Sequence, residues 1–308
     1  MKGKTGKHTL NITFLILLIA NMLASCSFMD RTEKIDLNSY LKNPEVRKLH
    51  DEALKNYHNL DWDKAVSDLE KAKEIEPGNL LINMRLLNIF EIVGFGHKYE
   101  SEKKYDFLYK DALRRSEDNP EEKLILEEIF GDRRDRDRTP DRLESLNRKL
   151  RKEDVMLKIG LAFAHVYLRD DFDKAYQIIE DSISSHPDIP VLYMEKCVLY
   201  RFQKRYDDFL KRAEEAVKIF PNNFHIIKNY SDAFAFKENF AKSQEIALDI
   251  FRKNDSNPVL YYRIIQNYIE MDDLLSARKF IKKGREKFPW ADYFYSLEAQ
   301  IDYKIRYK

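Results

Sequence analysis

Prolines that recur at a fixed interval constrain the fold of this 308-residue chain more than any other feature. Pro187 and Pro221 lie 34 residues apart, and Pro289 follows Pro221 after 68 residues, which is two such intervals. A proline lacks the N–H that a helix interior needs, so each of these residues indicates the end of a helix. Self-similarity at one period is the sequence signature of stacked repeats. The chain is therefore expected to fold as a linear array.

Within each interval, small and large residues recur at fixed offsets before the proline. The second half of the interval reads Ala65, Leu69, Ala72, Pro77; then Ala175, Ile179, Ser182, Pro187; Phe209, Ala213, Ala216, Pro221; Ser243, Ala247, Ile250, with Asp255 in place of proline; and Ala277, Ile281, Gly284, Pro289. The first half reads Tyr193, Cys197, Tyr200; then Ile227, Ser231, Phe234; and Tyr261, Ile265, Tyr268. These spacings place each set on one face of a helix, so the pattern predicts two amphipathic helices in each repeat.

A short polar residue precedes each second helix at the same offset. Four repeats have an aspartate or asparagine there, and the fifth has Arg205; the four are Asp61, Asp171, Asn239 and Asp273. The side-chain oxygen of such a residue can accept a hydrogen bond from an unpaired amide at the helix start. We expect these four residues to be N-caps.

These positions resemble the consensus of the tetratricopeptide repeat, a helix-turn-helix unit of 34 residues. The resemblance implies an all-α solenoid that winds as a right-handed superhelix, with about six to seven repeats and a C-terminal capping helix. Residues 154–308 carry the regular repeats and the cap, and residues 44–153 carry irregular repeats with an insertion. The irregular part is expected to contain helices near residues 80–93, 102–116, 121–130 and 141–151, with a turn near 94–96.

Residues that face each other within a repeat compensate in size. Cys197 is placed opposite Phe209 in one repeat, and the next repeat places Ser231 opposite Ser243. An earlier repeat reverses the sizes, with Phe163 opposite Ala175. We therefore interpret Cys197 as a small packing residue rather than as a reactive or metal-binding thiol.

The start of the chain has the layout of a secretory signal. Lys2, Lys4 and Lys7 precede an apolar run over residues 12–23. Twelve helical residues span about 18 Å, which is too short for a bilayer core of about 30 Å. A basic segment before a short apolar run is typical of a signal for export. A buried N-terminal helix is the alternative.

The apolar run ends in Leu23-Ala24-Ser25-Cys26, which resembles the lipobox of bacterial lipoproteins. The resemblance implies that residues 1–25 are removed, that Cys26 receives a diacylglycerol, and that residues 26–43 form a lipidated tether. It also implies a lipid-anchored protein of the cell envelope. Ser27 is not the aspartate that retains some lipoproteins at the inner membrane, so the outer membrane is favoured. The alternative is an ordinary signal peptide with a coincidental cysteine.

Motifs for catalysis are absent from the sequence. No Gly-x-Ser-x-Gly, His-Glu-x-x-His, phosphate-loop or dinucleotide motif occurs. The seven histidines are scattered, and we interpret them as exposed. The formal charge of +1 does not favour nucleic acid. We expect no enzymatic activity, cofactor, metal or small-molecule substrate, and we interpret residues 132–142 as a solvated charged loop, with partner docking as the alternative.

The resemblance also implies a groove, because such arrays bind peptides or helices along their first helices. The expected partner-binding residues are Met194, Arg201 and Phe202; His225, Lys228, Asp232 and Phe236; and Tyr262, Gln266 and Glu270. The same register includes Val191, Val198, Ala235, Val259 and Ile269. Packing against neighbouring helices is the alternative role for the apolar ones.

Three functional hypotheses follow. The first is a membrane-tethered scaffold or adaptor that gathers envelope enzymes or assembly factors through this groove. The second is a surface-exposed lipoprotein that binds host or environmental molecules. The third is an enzyme with an unrecognised site.

The lipid anchor is tested by the substitution Cys26→Ala. Because the thiol is the atom that would receive the diacylglycerol, this variant should lose metabolic lipid labelling and leave the membrane fraction. The matched control is Cys197→Ala, which keeps the proposed anchor. Unchanged labelling and fractionation of Cys26→Ala would contradict the anchor.

Overall fold

A computed structural model describes residues 34–92, 98–119, 122–123, 125–127 and 139–307. Its helices are α1 Pro44–His58, α2 Trp62–Ile75, α3 Leu80–Ile92, α4 Lys98–Arg115, α5 Thr139–Lys149, α6 Val155–Arg169, α7 Phe172–Ser185, α8 Pro190–Phe202, α9 Tyr206–Ile219, α10 Phe224–Phe236, α11 Phe240–Lys253, α12 Pro258–Glu270, α13 Leu274–Lys287 and α14 Tyr293–Arg306. A turn of 3-10 helix, Leu37–Tyr40, precedes them. In the described ranges, no helix has both the length and the apolar character of a bilayer-crossing segment.

The predicted fold class, an all-α helix-turn-helix solenoid, is confirmed. Consecutive helices pack as antiparallel pairs, and each pair packs against the next. The helices α1/α2, α3/α4, α6/α7, α8/α9, α10/α11 and α12/α13 form six such pairs, and α14 covers the last one as the predicted cap.

The turn inside each pair repeats with the same period as the sequence. Asp170, Lys204, Glu238 and Asp272 all have positive φ angles, between 53° and 65°, and they are spaced by 34 residues. Each lies two positions before its second helix. In three of the four turns the amide that follows reaches back five residues, as in Arg205 N–H to the Tyr200 carbonyl at 2.9 Å, whereas the Asp171 amide reaches back six residues, to the His165 carbonyl. This bond and the left-handed residue together define a Schellman ending of the first helix.

The second helices also end at one position of the repeat. Four of them, α2, α7, α9 and α13, end two residues before a proline. Helix α11 ends at Lys253, two residues before Asp255, although no proline stands there. The proline is therefore not required for this boundary.

Three of the four predicted N-caps are confirmed. Asp171, Asn239 and Asp273 accept hydrogen bonds from the third amide of their helices, at 3.0, 3.1 and 3.0 Å. The prediction is wrong for Asp61, whose side chain makes no cap bond. The Lys64 ammonium donates to that carboxylate instead, at 2.5 Å.

The size compensation inside the repeats is present in the core. Cys197 and Phe209 are both buried and belong to one apolar cluster. Burial raises the pKa of the Cys197 thiol to about 12, so it stays protonated at neutral pH. The Ser231 hydroxyl donates to the Ser243 carbonyl at 2.9 Å, which satisfies a polar pair where both side chains are small.

The irregular region contains three of the four predicted helices with shifted ends, and of the fourth, at 121–130, the structure describes only residues 122–123 and 125–127, which are helical. Helix α3 matches the expectation, whereas α4 begins four residues earlier than expected and α5 begins two residues earlier. The expected turn at 94–96, Pro120 and most of the charged loop lie outside the described residues. Cys26 also lies outside them.

The expectation of a free tether is wrong for residues 34–43. Ile35 pairs with the chain beyond α5, since its amide donates to the Lys149 carbonyl and its carbonyl accepts from Arg151 N–H, both at 2.8 Å. Leu41 is buried, and the Asn79 side-chain amide donates to the Tyr40 carbonyl at 2.8 Å. Spaced apolar side chains bind this segment to the fold.

The interpretation of the histidines as exposed is wrong for the five that the structure describes, since His58, His186 and His225 are half-buried. His50 and His165 are buried. The His165 Nε2 atom lies 3.3 Å from a carboxylate oxygen of Glu144, and His50 contacts Arg85. Each ring has a polar partner in the interior, which makes its burial acceptable.

A close contact between α13 and α14 yields a prediction about stability. A Cβ atom at Gly284 would lie 2.4 Å from two ring carbons of the buried Phe294. We expect Gly284→Ala to destabilise the fold by roughly 1–3 kcal/mol through overpacking, although alanine is the better helix former. Urea unfolding measures this free energy.

The matched control is Gly78→Ala, because its added methyl would meet only the Arg115 Cβ at 3.9 Å. A second control relieves the contact: Phe294→Leu should reduce the cost of Gly284→Ala when the two changes are combined. A Gly284→Ala variant as stable as Gly78→Ala would contradict the packing described.

Candidate protein-binding groove

The first helices of the repeats lie on the inner side of the array. Helix α8 contacts α10, α10 contacts α12, and α12 contacts α14, whereas the second helices of successive pairs are farther apart in the described ranges. An array curves toward the side on which its helices are closer together. The groove is therefore formed by the exposed faces of first helices.

This inner side is closed in the N-terminal half of the molecule. Helix α1 packs against α8, and α3 packs against α6. The Asn223 side-chain amide at the start of α10 also donates to the Asn59 carbonyl after α1, at 3.3 Å. Helices α1, α3, α6 and α8 therefore cover much of one another on this side, and a cavity of about 330 Å³ remains between α1 and the start of α8.

A buried ion pair lies at the centre of this closed part. Both Arg85 Nη atoms donate to the Asp154 carboxylate, one of them at 2.7 Å. Asp154 also caps α6 by accepting from Leu157 N–H at 3.0 Å. Although burial alone would raise the pKa of Asp154, the charge and hydrogen bonds of Arg85 lower it below its usual value. The carboxylate is therefore ionised and fully engaged at neutral pH.

His50 joins this cluster as a neutral ring. The Arg85 Nε–H donates to His50 Nε2 at 3.4 Å, and His50 Nδ1 lies 3.2 Å from a carboxylate oxygen of Asp51. Burial and then the nearby Arg85 charge lower the pKa of His50 to about 4. The ring links α1 to the pair between α3 and α6.

Glu195 on α8 is a buried acid in the same region. Burial raises its pKa to about 8, and the Arg201 charge opposes this only in part. The carboxyl group is therefore mostly protonated at pH 7. The closed part behaves as a protein core and presents no ionised carboxylate at this position.

The groove is open along the C-terminal half of the molecule. We use the name open groove for the surface formed by the end of α8 and by α10, α12 and α14. At its centre, Asp232 accepts from the Lys228 ammonium at 2.7 Å and from Arg263 Nε–H at 2.6 Å. Burial alone would raise the pKa of Asp232, but these two cations lower it. The pairing holds Lys228 and Arg263 in fixed positions on neighbouring helices.

Two guanidinium groups flank one aromatic ring in the open groove. The Arg201 and Arg263 guanidinium carbons lie 5.8 and 5.9 Å from the centroid of the Phe236 ring. Contacts of this kind between a cation and an aromatic face are favourable. In the described part of the chain, Arg201 has no carboxylate within ion-pair distance. Together with Lys228, the groove centre has three cations and one carboxylate.

Exposed aromatic side chains border these charges. Phe202 is 43% exposed, and its ring centroid lies 5.9 Å from that of Tyr167, which is 61% exposed. At the other end of the groove, Tyr262 makes an edge contact with Tyr293 at 5.6 Å, and Tyr303 lies 4.6 Å from Tyr307. Apolar rings thus remain accessible on both sides of the cationic centre.

The expected groove residues differ in accessibility. Phe202, Tyr262 and Glu270 are exposed, whereas Met194, Arg201, His225, Lys228, Phe236 and Gln266 are half-buried. Asp232 is buried, and its carboxylate is engaged in the ion pairs described above. Val191, Ala235 and Ile269 are buried among apolar side chains. Gln266 donates to Gln300 on α14 at 3.1 Å, and Glu270 lies 3.8 Å from Lys304.

Sequence reasoning missed Arg263 and the groove face of α14. Arg263 falls outside the positions that the family resemblance supplies, and only its contact with Asp232 reveals it. Tyr293, Gln300 and Tyr303 follow Val259, Gln266 and Ile269 by 34 residues each. Extending the repeat register into the capping helix would have found them.

Comparison with known proteins gives likenesses in structure. No known family model matches the chain, and no curated protein matches it in sequence. A tetratricopeptide repeat protein from Parabacteroides merdae ATCC 43184 is 14% identical, with 84% of this chain and 99% of that chain covered and a TM-score of 0.49.

Two further solved structures are similar to the chain. MamA from Desulfovibrio magneticus RS-1 is 16% identical, with 60% of this chain and 96% of that chain covered and a TM-score of 0.43. PilW, a type IV pilus biogenesis factor, is 9% identical, with 83% and 99% covered and a TM-score of 0.44. These likenesses concern the course of the backbone alone.

The buried acid predicts a pH-dependent stability. Between about pH 4.5 and 8, Glu195 is ionised when the chain is unfolded and protonated when it is folded, so rising pH reduces the free energy of unfolding. The substitution Glu195→Gln removes the ionisable group, so the free energy of unfolding no longer falls with rising pH for this reason. The variant should match the unsubstituted protein near pH 4.5 and exceed it by roughly 2–4 kcal/mol at pH 8.

Urea unfolding at the two pH values measures the difference. Glu286→Gln, at an exposed carboxylate on α13, is the matched control and should show the same small difference at both values. Parallel pH curves for Glu195→Gln and the unsubstituted protein would contradict the buried, protonated state of Glu195.

Proposed function

We propose that this protein is a lipid-anchored scaffold or adaptor of the bacterial cell envelope that binds other proteins through the open groove. The observation that carries the proposal is the difference between the two halves of the inner side. In the N-terminal half these helix faces cover one another, whereas in the C-terminal half they present accessible aromatic and arginine side chains.

The composition of the open groove suits a protein partner. Tyrosine, phenylalanine and arginine are enriched in protein interfaces, where a few of them contribute most of the binding energy. The Asp232 ion pairs and the Phe236 ring restrain Arg201 and Arg263 before any partner arrives. Restraint of this kind reduces the entropy lost on binding.

Charge indicates which kind of segment fits. Three cations surround one carboxylate at the groove centre, and the carboxyl group of Glu195 behind Arg201 is mostly uncharged at neutral pH. A partner segment with an acidic group between apolar or aromatic side chains would match this arrangement. Such a match raises the association rate and disfavours basic partners.

Anchoring rests on the N-terminal sequence. A basic segment, a short apolar run and the lipobox-like residues before Cys26 support export and lipidation. Two or more acyl chains would hold the protein stably on a membrane, because each buried CH₂ contributes about 0.8 kcal/mol to the free energy of membrane binding. Among envelope locations we favour the outer membrane, because Ser27 follows the cysteine.

Substitution in the open groove tests partner binding. We expect Arg201→Ala/Tyr262→Ala to lose the envelope proteins that co-purify with the tagged protein from detergent extracts. Truncation of two interface anchors reduces affinity by roughly 30-fold or more. Lys228 is a poorer choice, because its removal leaves the buried Asp232 with one cation.

The matched control is Leu275→Ala/Lys279→Ala, which removes one exposed apolar side chain and one cation from α13 on the other side of the array. This variant should retain the co-purified proteins. Retention by the groove variant, or equal loss from both variants, would contradict binding through the open groove.

A further inference from the structure

The N-terminal segment leaves the fold at a fixed point. Ile35 is bonded through its backbone to Lys149 and Arg151, on both sides of Leu150, in the connection between α5 and α6. The Lys34 ammonium adds a bond to the Arg148 carbonyl at 2.7 Å. Whatever precedes Lys34 therefore starts at the end of α5.

Basic side chains are concentrated at this exit point. We call Lys34, Arg148, Lys149, Arg151 and Lys152 the exit patch. All are exposed except Lys149, which is half-buried. Two carboxylates lie nearby in the chain: Asp36, which is 3.7 Å from Arg151, and Glu153, which is bonded to Ser182 at 3.4 Å. The patch has five cations and two acids.

Helix electrostatics account for only part of the exit patch. Cations in the last turn of a helix interact favourably with its dipole, which explains Arg148 and Lys149 at the end of α5. Lys34 satisfies a carbonyl at the same helix end. Arg151 and Lys152 lie beyond the helix and serve no such role. Arg151 has a contact within the fold through Asp36, and neither residue belongs to the groove.

The distance to the proposed lipid is short. Eight residue steps separate Cys26 from Lys34. A fully extended chain of that length spans at most about 28 Å, and a flexible one spans about 16 Å on average. A lipid on Cys26 would thus hold the exit patch about two Debye lengths, each about 8 Å, from the membrane surface on average, and it would allow closer approach.

We infer that the exit patch binds the anionic headgroups of membrane phospholipids and so turns the connection between α5 and α6 toward the membrane. The inference rests on the lipid anchor of the proposed function. A short tether makes the second contact intramolecular, so even a weak patch is occupied. Each cation near an anionic surface strengthens binding by roughly five-fold.

Another basic surface provides an internal comparison. Helix α13 carries six cations, but Arg278, Arg285 and Lys287 are engaged with carboxylates, and Lys283 lies over the Phe251 ring. This helix belongs to the last of the six helix pairs, far along the chain from the exit point. It therefore supplies matched control positions with no role in the inference.

Vesicle co-sedimentation tests the inference without the lipid. The protein from Ser27 onward keeps every residue that the structure describes. We expect it to bind vesicles that contain about a third phosphatidylglycerol at least ten-fold more tightly than phosphatidylcholine vesicles, with salt weakening the binding. The variant Arg148→Ala/Arg151→Ala/Lys152→Ala should lose on the order of 10- to 100-fold in affinity.

Two further variants make the outcome specific. Lys211→Ala/Lys279→Ala/Lys282→Ala changes the net charge equally at exposed positions and should bind within about two-fold of the unsubstituted protein. Arg148→Lys/Arg151→Lys keeps the charge and should also retain binding. Thermal unfolding confirms that each variant is folded.

Equal loss from the two alanine variants, or no preference for phosphatidylglycerol, would overturn the inference. Because this protein lacks the lipid, the result does not depend on Cys26. Vesicle binding combined with absent lipid labelling in cells would overturn the anchor and leave the headgroup contact standing. Lipid labelling in cells without vesicle binding would overturn the headgroup contact and leave the anchor standing.

Discussion

The Arg85–Asp154 ion pair links helices that are 69 residues apart in sequence, and it sits where the array closes on itself. It joins α3 to α6, and His50 extends the contact to α1. Removing one partner of such a pair leaves a buried charge and costs about 3–5 kcal/mol. Because of this closure, the inner faces of the first repeats pack largely against one another. In the proposed function, a partner therefore binds along the later repeats, whose inner faces are not joined in this way.

Two surfaces with different chemistry result from this arrangement. The open groove combines aromatic rings with restrained arginines and lies along α10, α12 and α14. The exit patch is purely charged and lies between α5 and α6, where the N-terminal segment leaves the fold. They belong to different repeats, so a partner in the groove and a membrane at the exit point would not compete for the same residues. A scaffold that presents captured proteins near a membrane needs this separation.

The sequence predicted the regular repeats well because their determinants are local and recur. Helix ends, the caps Asp171, Asn239 and Asp273, and the pairing of Cys197 with Phe209 all follow from one period. The closure could not be predicted, because the contact of α1 with α8 joins residues that no period relates. For the same reason the burial of His50 and the docking of Ile35 were missed.

Photo-crosslinking in cells tests the central claim, binding through the open groove, most directly. A photoreactive amino acid would replace Tyr262 in the groove in one strain and Leu275, which is 85% exposed on α13, in another. The same irradiation then labels whatever lies against each surface. Binding through the open groove predicts discrete adducts with envelope proteins from position 262 and none of those adducts from position 275. The same adducts from both positions, or none from position 262, would contradict it.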